Sequence, residues 1–284
     1  MKKKQYGMLF FLPVILIISV FVYLPIGSTF FYSLYNLKLT EPENTEFIGL
    51  ENYVKVFQDP KFLDSLFNTF YILLWVLAIT LIVSFFLAIV LNKKTKLSPL
   101  LTAAAIIPWA LPPVVNGIVW RFIFYPGYGL LNKLLMIFSV IDRPLDFTRG
   151  RFSTLIIVAI IVSWRVIPFC AIIFLSNFQS INPGIYEAAE VDGAGVFDRL
   201  WKITLPLSLP AMGVVVTHII ISSMNVFDEI VVLIGYRDMG QSLSIYNYSE
   251  TFSFLNFGYG SAISYIIMML TAVVGYFYIK ERQV

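Results

Sequence analysis

An all-α fold, a polytopic transmembrane helical bundle of six spans with both termini in the cytoplasm, is the class that this sequence predicts, and three observations predict it. First, 284 residues with a mean hydropathy of +0.81, 13% charged and 17% aromatic residues fall far outside the composition of a soluble globular domain. Second, a bilayer core about 30 Å thick needs roughly 20 apolar residues per helix. The chain supplies six such runs, at about 8–36, 68–91, 99–124, 152–178, 208–233 and 257–279. Third, Lys2, Lys3 and Lys4 precede the first run and Lys93, Lys94 and Lys96 fill the link after the second, which the positive-inside rule places in the cytoplasm. The whole chain, 1–284, reads as one polytopic domain of the cytoplasmic membrane, with membrane lipid around it.

The first run is too long for a signal-peptide core and no A-x-A cleavage site follows it, so it reads as an uncleaved span. The outer loop, 37–67, carries FIGLENYVKVFQDPKFLDSLFNT, whose Tyr53, Phe57, Phe62 and Leu66 suggest short surface helices broken at Pro60. The third span holds Pro108, Pro112 and Pro113 near its middle, so it is either a kinked helix in a packed bundle or a broken helix lining a pathway. Residues 125–151 are expected outside despite Lys133, Arg143, Arg149 and Arg151. The loop 179–207 is expected inside, 234–256 outside, and the tail KERQV inside.

Between two long apolar runs lies YEAAEVDGAGVFDRLWKITLP, residues 186–206, with four acidic and two basic residues. Asn182 is placed to cap a helix and Pro183 to occupy its first position. The helix is expected to run to about Asp192 and stop at Gly193-Ala194-Gly195, followed by a second with Val196, Phe197, Leu200, Trp201 and Thr204 at helical spacing. Ala188 and Ala189 allow another surface to approach closely, and the acidic balance suits a basic protein groove. The same balance disfavours a helix lying on anionic lipid and a DNA-reading helix-turn-helix, so nucleic acid is not an expected partner.

This loop closely resembles the EAA signature of membrane subunits of binding-protein-dependent ABC importers. Glu187-Ala188-Ala189, Gly193 after three residues, and Ile203, Leu205 and Pro206 after nine more stand at its fixed positions. The segments YGLLNKLL, WRVIPF and NVFDEI extend the resemblance to the maltose-type, carbohydrate-uptake branch. One departure is IGYRDMGQSLS, where relatives usually carry a Gly-Gly-Pro turn. The resemblance implies that Glu187, Ala188, Ala189, Asp192, Gly193, Ile203, Leu205 and Pro206 form a coupling helix docked on a cytoplasmic ATPase. It further implies a second homologous permease subunit, two copies of the nucleotide-binding ATPase and an extracytoplasmic solute-binding protein as partners.

No G-x-x-x-x-G-K-[ST] and no Gly-Lys pair occurs, so ATP and Mg belong to the partner subunit and this chain needs no cofactor of its own. Cys170 and His218 are each single, which leaves no disulfide within the chain and no three-histidine zinc site; no metal site is expected. No catalytic residues are expected, and His218 reads as a helix-packing polar residue. Arg165 stands mid-span beside Trp164, poised to donate to substrate hydroxyls, to lock a closed gate by pairing with a carboxylate such as Asp228, or to form a structural ion pair between helices. Glu229 reads as a solvated end-of-span residue. Asn225, Phe227 and Asp228, which match the family's pathway-facing stretch, join Trp164 and Arg165 as substrate-pathway candidates. A secondary transporter or channel of six spans is the alternative, and it leaves the EAA-like loop without a role.

Overall fold

Residues 11–93 and 95–281 are described by the structure, a computed structural model, with side chains described through residue 273. Lys2, Lys3, Lys4, Lys94 and the end of the KERQV tail, on which part of the orientation reading rests, lie outside the described residues. The chain divides into two compact units, Met1–Leu63 with Tyr246–Leu270, and Asp64–Ile245 with Thr271–Val284. Among the described residues there is no β-strand, only the isolated bridges Tyr35–Phe47 and Lys38–Asn256.

Three helices are long and apolar enough to cross a membrane: α1 (Phe11–Ser33), α3 (Pro60–Leu91) and α7 (Arg151–Ser180). Two bent pairs qualify together, α4 with α5 (Ser98–Ala110 and Pro113–Phe124) and α9 with α10 (Val196–Leu207 and Leu209–Met224). The remaining helices are α2 (Glu51–Gln58), α6 (Leu130–Ile137), α8 (Pro183–Val191), α11 (Asp228–Ile234), α12 (Leu243–Tyr248) and α13 (Phe257–Glu281). α3 begins at Pro60 rather than near 68, because proline fits a first helical position and Asp59 Oδ1 accepts the Lys61 N–H at 2.8 Å. Residues 60–67, expected within the outer loop, are therefore the first turns of this helix.

In the first unit, Asn52 on α2 is buried and donates from Nδ2 to the carbonyls of Ser33 and Tyr35, both at 2.9 Å, satisfying backbone left open where α1 ends. Asp59 gathers the other polar contacts, accepting from the hydroxyls of Tyr246 and Tyr259. Burial pushes the Asp59 carboxyl up, but these donors and the Lys61 N–H outweigh it and hold the group below its ordinary value. Glu250 moves the opposite way, pushed up by burial and then by the charge of Asp59.

The core of the second unit is built around α7, whose Leu155, Val158, Ala159, Ile161, Val162, Val166, Cys170 and Phe174 are fully buried. Ile72, Val76 and Ala88 of α3, with Val215 and Ile219 of α10 and Ile230 of α11, complete it. The proline-bearing third run is broken, not kinked: α4 and α5 meet at 96°. Pro112 and Pro113 push Leu111 and Pro112 into extended geometry, and Pro113 starts the next helix. The run 208–233 breaks as well, at Asn225–Phe227, which has no proline. Serine hydroxyls take the freed carbonyls: Ser244 Oγ donates to Met224 at 3.1 Å and Ser242 Oγ to Val226 at 2.6 Å.

Candidate functional site

Two features of the second unit are the candidates for functional chemistry, the helix pair α8–α9 and an ion pair inside the apolar runs. α8 starts as its sequence dictates. Asn182 is extended, its Oδ1 accepts the Gly184 N–H at 2.9 Å, and Pro183 takes the first helical position. At the other end the Gly193 N–H reaches the Glu190 carbonyl (3.1 Å) and the Ala194 N–H the Ala189 carbonyl (2.8 Å), the two bonds of a Schellman closure. That closure needs a left-handed residue, and Gly193 has φ +82°.

α9 then runs from Val196 and contains a π-helical turn over Leu200–Thr204. Arg199 Nη1 pairs with Glu190 Oε1 at 3.2 Å, tying α9 to α8, and Lys202 pairs with Asp198 at 2.6 Å. Tyr186 Oη and Thr204 Oγ1 share a hydrogen bond of 3.1 Å between the same two helices. The exposed Glu187 and Asp192 are left as the carboxylates of this loop without an ion-pair partner among the described residues.

The eight coupling candidates divide by position. Glu187, Ala188, Asp192, Gly193 and Pro206 are exposed; Ala189 and Ile203 are half-buried; Leu205 packs against the core. Sequence reasoning overlooked the apolar tip. Val191, Val196 and Phe197, which flank the glycine turn, are 88%, 71% and 77% exposed. Their helical spacing suggests core residues, yet a helix only nine residues long closed by Gly193 has no core beside its end. Apolar side chains standing out beside unpaired carboxylates form a surface suited to a protein with a basic, apolar-floored cleft.

The second feature corrects an expectation. Arg165 pairs with Glu229, not with Asp228: its Nη2 and Nε lie 2.9 and 3.0 Å from Glu229 Oε1, and Glu229 is 2% exposed. The break at 225–227 restarts the helical phase, so Glu229 shares the buried face of α11 with Ile230 and Leu233, while Asp228 is half-buried at its first position. Gly117 makes room on α5, since a Cβ there would sit 3.1 Å from Val232 and 3.3 Å from the Glu229 Cα. Glu229 is thus no solvated residue at the end of a span.

Of the other pathway candidates, Trp164 packs edge-on against Trp120 at 5.8 Å, and Phe227 packs on the core and against Tyr236 at 6.4 Å. Asn225 is exposed and donates to the Ile221 carbonyl of its own helix at 2.8 Å. The structure brings Arg165 to Glu229 and leaves Asn225 and Asp228 outside that contact. His218 lies against Phe169, ring centroids 4.4 Å apart, as a packing residue would.

Comparison with known proteins places these features. A family model described as "Binding-protein-dependent transport system inner membrane component" matches residues 80–282, which include both α8–α9 and the Arg165–Glu229 pair. The chain is 32% identical over 283 residues to the trehalose/maltose transport system permease protein MalF of Thermococcus litoralis, covering 98% of this chain and 94% of that one. It is 31% identical over 271 residues to the sulfoquinovosyl glycerol transport system permease protein SmoG of Agrobacterium fabrum, covering 94% and 87%. Its fold matches a chain in the crystal structure of a bacterial alginate ABC transporter in complex with alginate pentasaccharide-bound periplasmic protein, with a TM-score of 0.81 at 21% identity over 98% of this chain and 93% of that one.

Proposed function

Since this chain belongs to the family of inner-membrane components of binding-protein-dependent transport systems, we propose that it carries a sugar, oligosaccharide or related polyol across the membrane, driven through α8–α9. It is a multi-pass permease subunit of an ABC importer in the cytoplasmic membrane, a transporter and not an enzyme, and it works with a nucleotide-binding ATPase and a solute-binding protein. The observation that carries the coupling reading is the exposed tip of α8–α9, where Val191, Val196 and Phe197 stand beside the unpaired Glu187 and Asp192. The substrate class follows the relatives named for trehalose, maltose and sulfoquinovosyl glycerol.

In this reading the assembly holds a second, homologous permease and two copies of the ATPase. Six spans follow if α1, α3, the bent pair α4–α5, α7, α10 with α11, and α13 each cross once, with both termini inside. The cations of 125–151 that strain this orientation are eased at Arg151, whose guanidinium bonds Asn68 Oδ1 at 2.8 Å and Asp64 Oδ1 at 3.0 Å. ATP-driven closure of the ATPases would move α8–α9 and rock the spans around Trp164, Arg165, Asn225, Phe227 and Asp228.

The test is reconstitution. The chain is copurified with its ATPase, and ATP-dependent uptake of trehalose, maltose and glycerol-linked sugars is measured with the solute-binding protein present. Stoichiometric copurification with ATP-driven uptake is expected; uptake by this chain alone on an ion gradient would replace the reading with a secondary transporter or channel.

A further inference from the structure

An open cleft of about 360 Å³ in the second unit is lined by Arg121 from the last turn of α5 and by Arg237 from the segment after α11. Neither arginine has a hydrogen-bond or ion-pair partner among the described residues. Asp146, the one carboxylate on the lining, is already occupied, its Oδ1 accepting the Thr148 N–H at 2.9 Å and the Thr148 hydroxyl at 2.8 Å. The cleft therefore sets two guanidinium groups against one carboxylate that pairs with neither, which leaves it with a net positive charge. Tyr125 forms another wall and is itself held by stacking on Tyr128, ring centroids 4.2 Å apart.

We propose that Arg121 and Arg237 form a binding site for the oxyanion of an acidic sugar or polyol, a carboxylate, phosphate or sulfonate on a hydroxyl-rich small molecule. Two like charges in one concavity repel, and an oxyanion removes that cost while each planar guanidinium offers paired N–H donors matched to its oxygens. The face of a tyrosine ring accepts the C–H face of a sugar. The volume falls within the roughly 300–1,000 Å³ of small-molecule sites. Arg237 lies in IGYRDMGQSLS, the segment that follows α11. The proposal deepens the carbohydrate reading, and on that reading's topology the cleft opens to the outside.

The full permease assembly, in lipid nanodiscs at low salt, is titrated calorimetrically with glucuronate and with glucose. Glucuronate is expected to bind at least ten-fold more tightly than glucose, and to weaken as salt is raised. R121Q and R237Q are each expected to lose about ten-fold in glucuronate affinity, with R121K and R237K losing less. Equal affinity for glucuronate and glucose, or glucuronate binding unchanged in both Gln variants, would overturn the site; if a Gln variant fails to assemble, the wild-type preference for glucuronate and its salt dependence decide, and loss of either overturns the site. The same carboxylate chemistry could come from an acidic side chain of the solute-binding protein, so its association is measured in parallel. Loss of that association in the variants, with no glucuronate binding to the wild type, overturns the small-molecule assignment. Failure of ATP-driven uptake would sink the transport reading and leave this titration standing.

Discussion

The second unit contains two arginine–glutamate pairs of the same chemistry in opposite surroundings. Arg165–Glu229 closes at 2.9 Å with Glu229 2% exposed, whereas Arg199–Glu190 closes at 3.2 Å with Glu190 68% exposed. In the first, removing Arg165 strands Glu229 where little water reaches it, and removing Glu229 leaves a guanidinium only 19% exposed without its partner. In the second, water stands ready to replace whichever partner is lost. Breaking the pair within the apolar runs at one partner is therefore costly, while the pair on the loop only trims the relation of α8 to α9 and leaves the surface beside it open to a partner.

The largest expected effect is at the buried pair. Glu229→Ala should cost about 3–5 kcal/mol, the usual penalty of an orphaned buried charge, read as lost membrane abundance and a lowered Tm. R165M/E229L, which removes both charges together, should recover most of the abundance. Full transport in that double variant would reduce the pair to scaffolding, and transport still absent would place it in the pathway. Arg165→Ala and Asp228→Asn should add independently, since those two side chains share no contact; strong coupling between them would break the comparison at its first term.

The loop should respond in the opposite sense, losing partner binding while stability holds. Phe197→Ala and Glu187→Lys should each weaken association with the ATPase by about ten-fold or more, as hot-spot truncations worth ~1–3 kcal/mol do, with melting unchanged. Normal ATPase copurification and normal stimulated hydrolysis in both would end the coupling assignment. Gly193→Val comes next, because forcing a β-branched side chain to φ +82° costs about 1–2 kcal/mol locally; hydrolysis should become uncoupled from uptake although all spans still insert. Glu190→Ala should be the smallest, about 0–1 kcal/mol in stability. A Glu190 effect as large as that of Glu229 would mean that exposure does not separate the two pairs.

What could be read from the sequence was local. The apolar runs are long enough to be counted, and the ends of α8 are written in Asn182, Pro183 and Gly193, each acting within a few residues of itself. The resemblance at Glu187-Ala188-Ala189 located the loop without its tip, because Val191 and Phe197 are exposed by what ends nearby and not by their own character. The partner of Arg165 was not legible. It depends on a break at 225–227 that no proline marks, and three residues of irregular backbone decide whether Asp228 or Glu229 turns inward. The π-helical turns at Ser19–Tyr23, Leu200–Thr204 and Ser249–Ser253 were equally hidden, since such a turn is a matter of one residue's slack in the hydrogen-bond ladder.

The 65° bend between α9 and α10 gives the loop a mechanical character. At the corner, Ser208 Oγ donates to the Thr204 carbonyl, and Leu205 anchors the inner side against the core. If the tip at Phe197 docks on the ATPase as proposed, this corner is where its movement would pass to α10. The far end of that helix is Met224, five residues before Glu229, where the irregular backbone at 225–227 begins. On the proposed coupling, the corner and the irregular backbone at 225–227 are the two joints between the exposed tip and the buried Arg165–Glu229 pair.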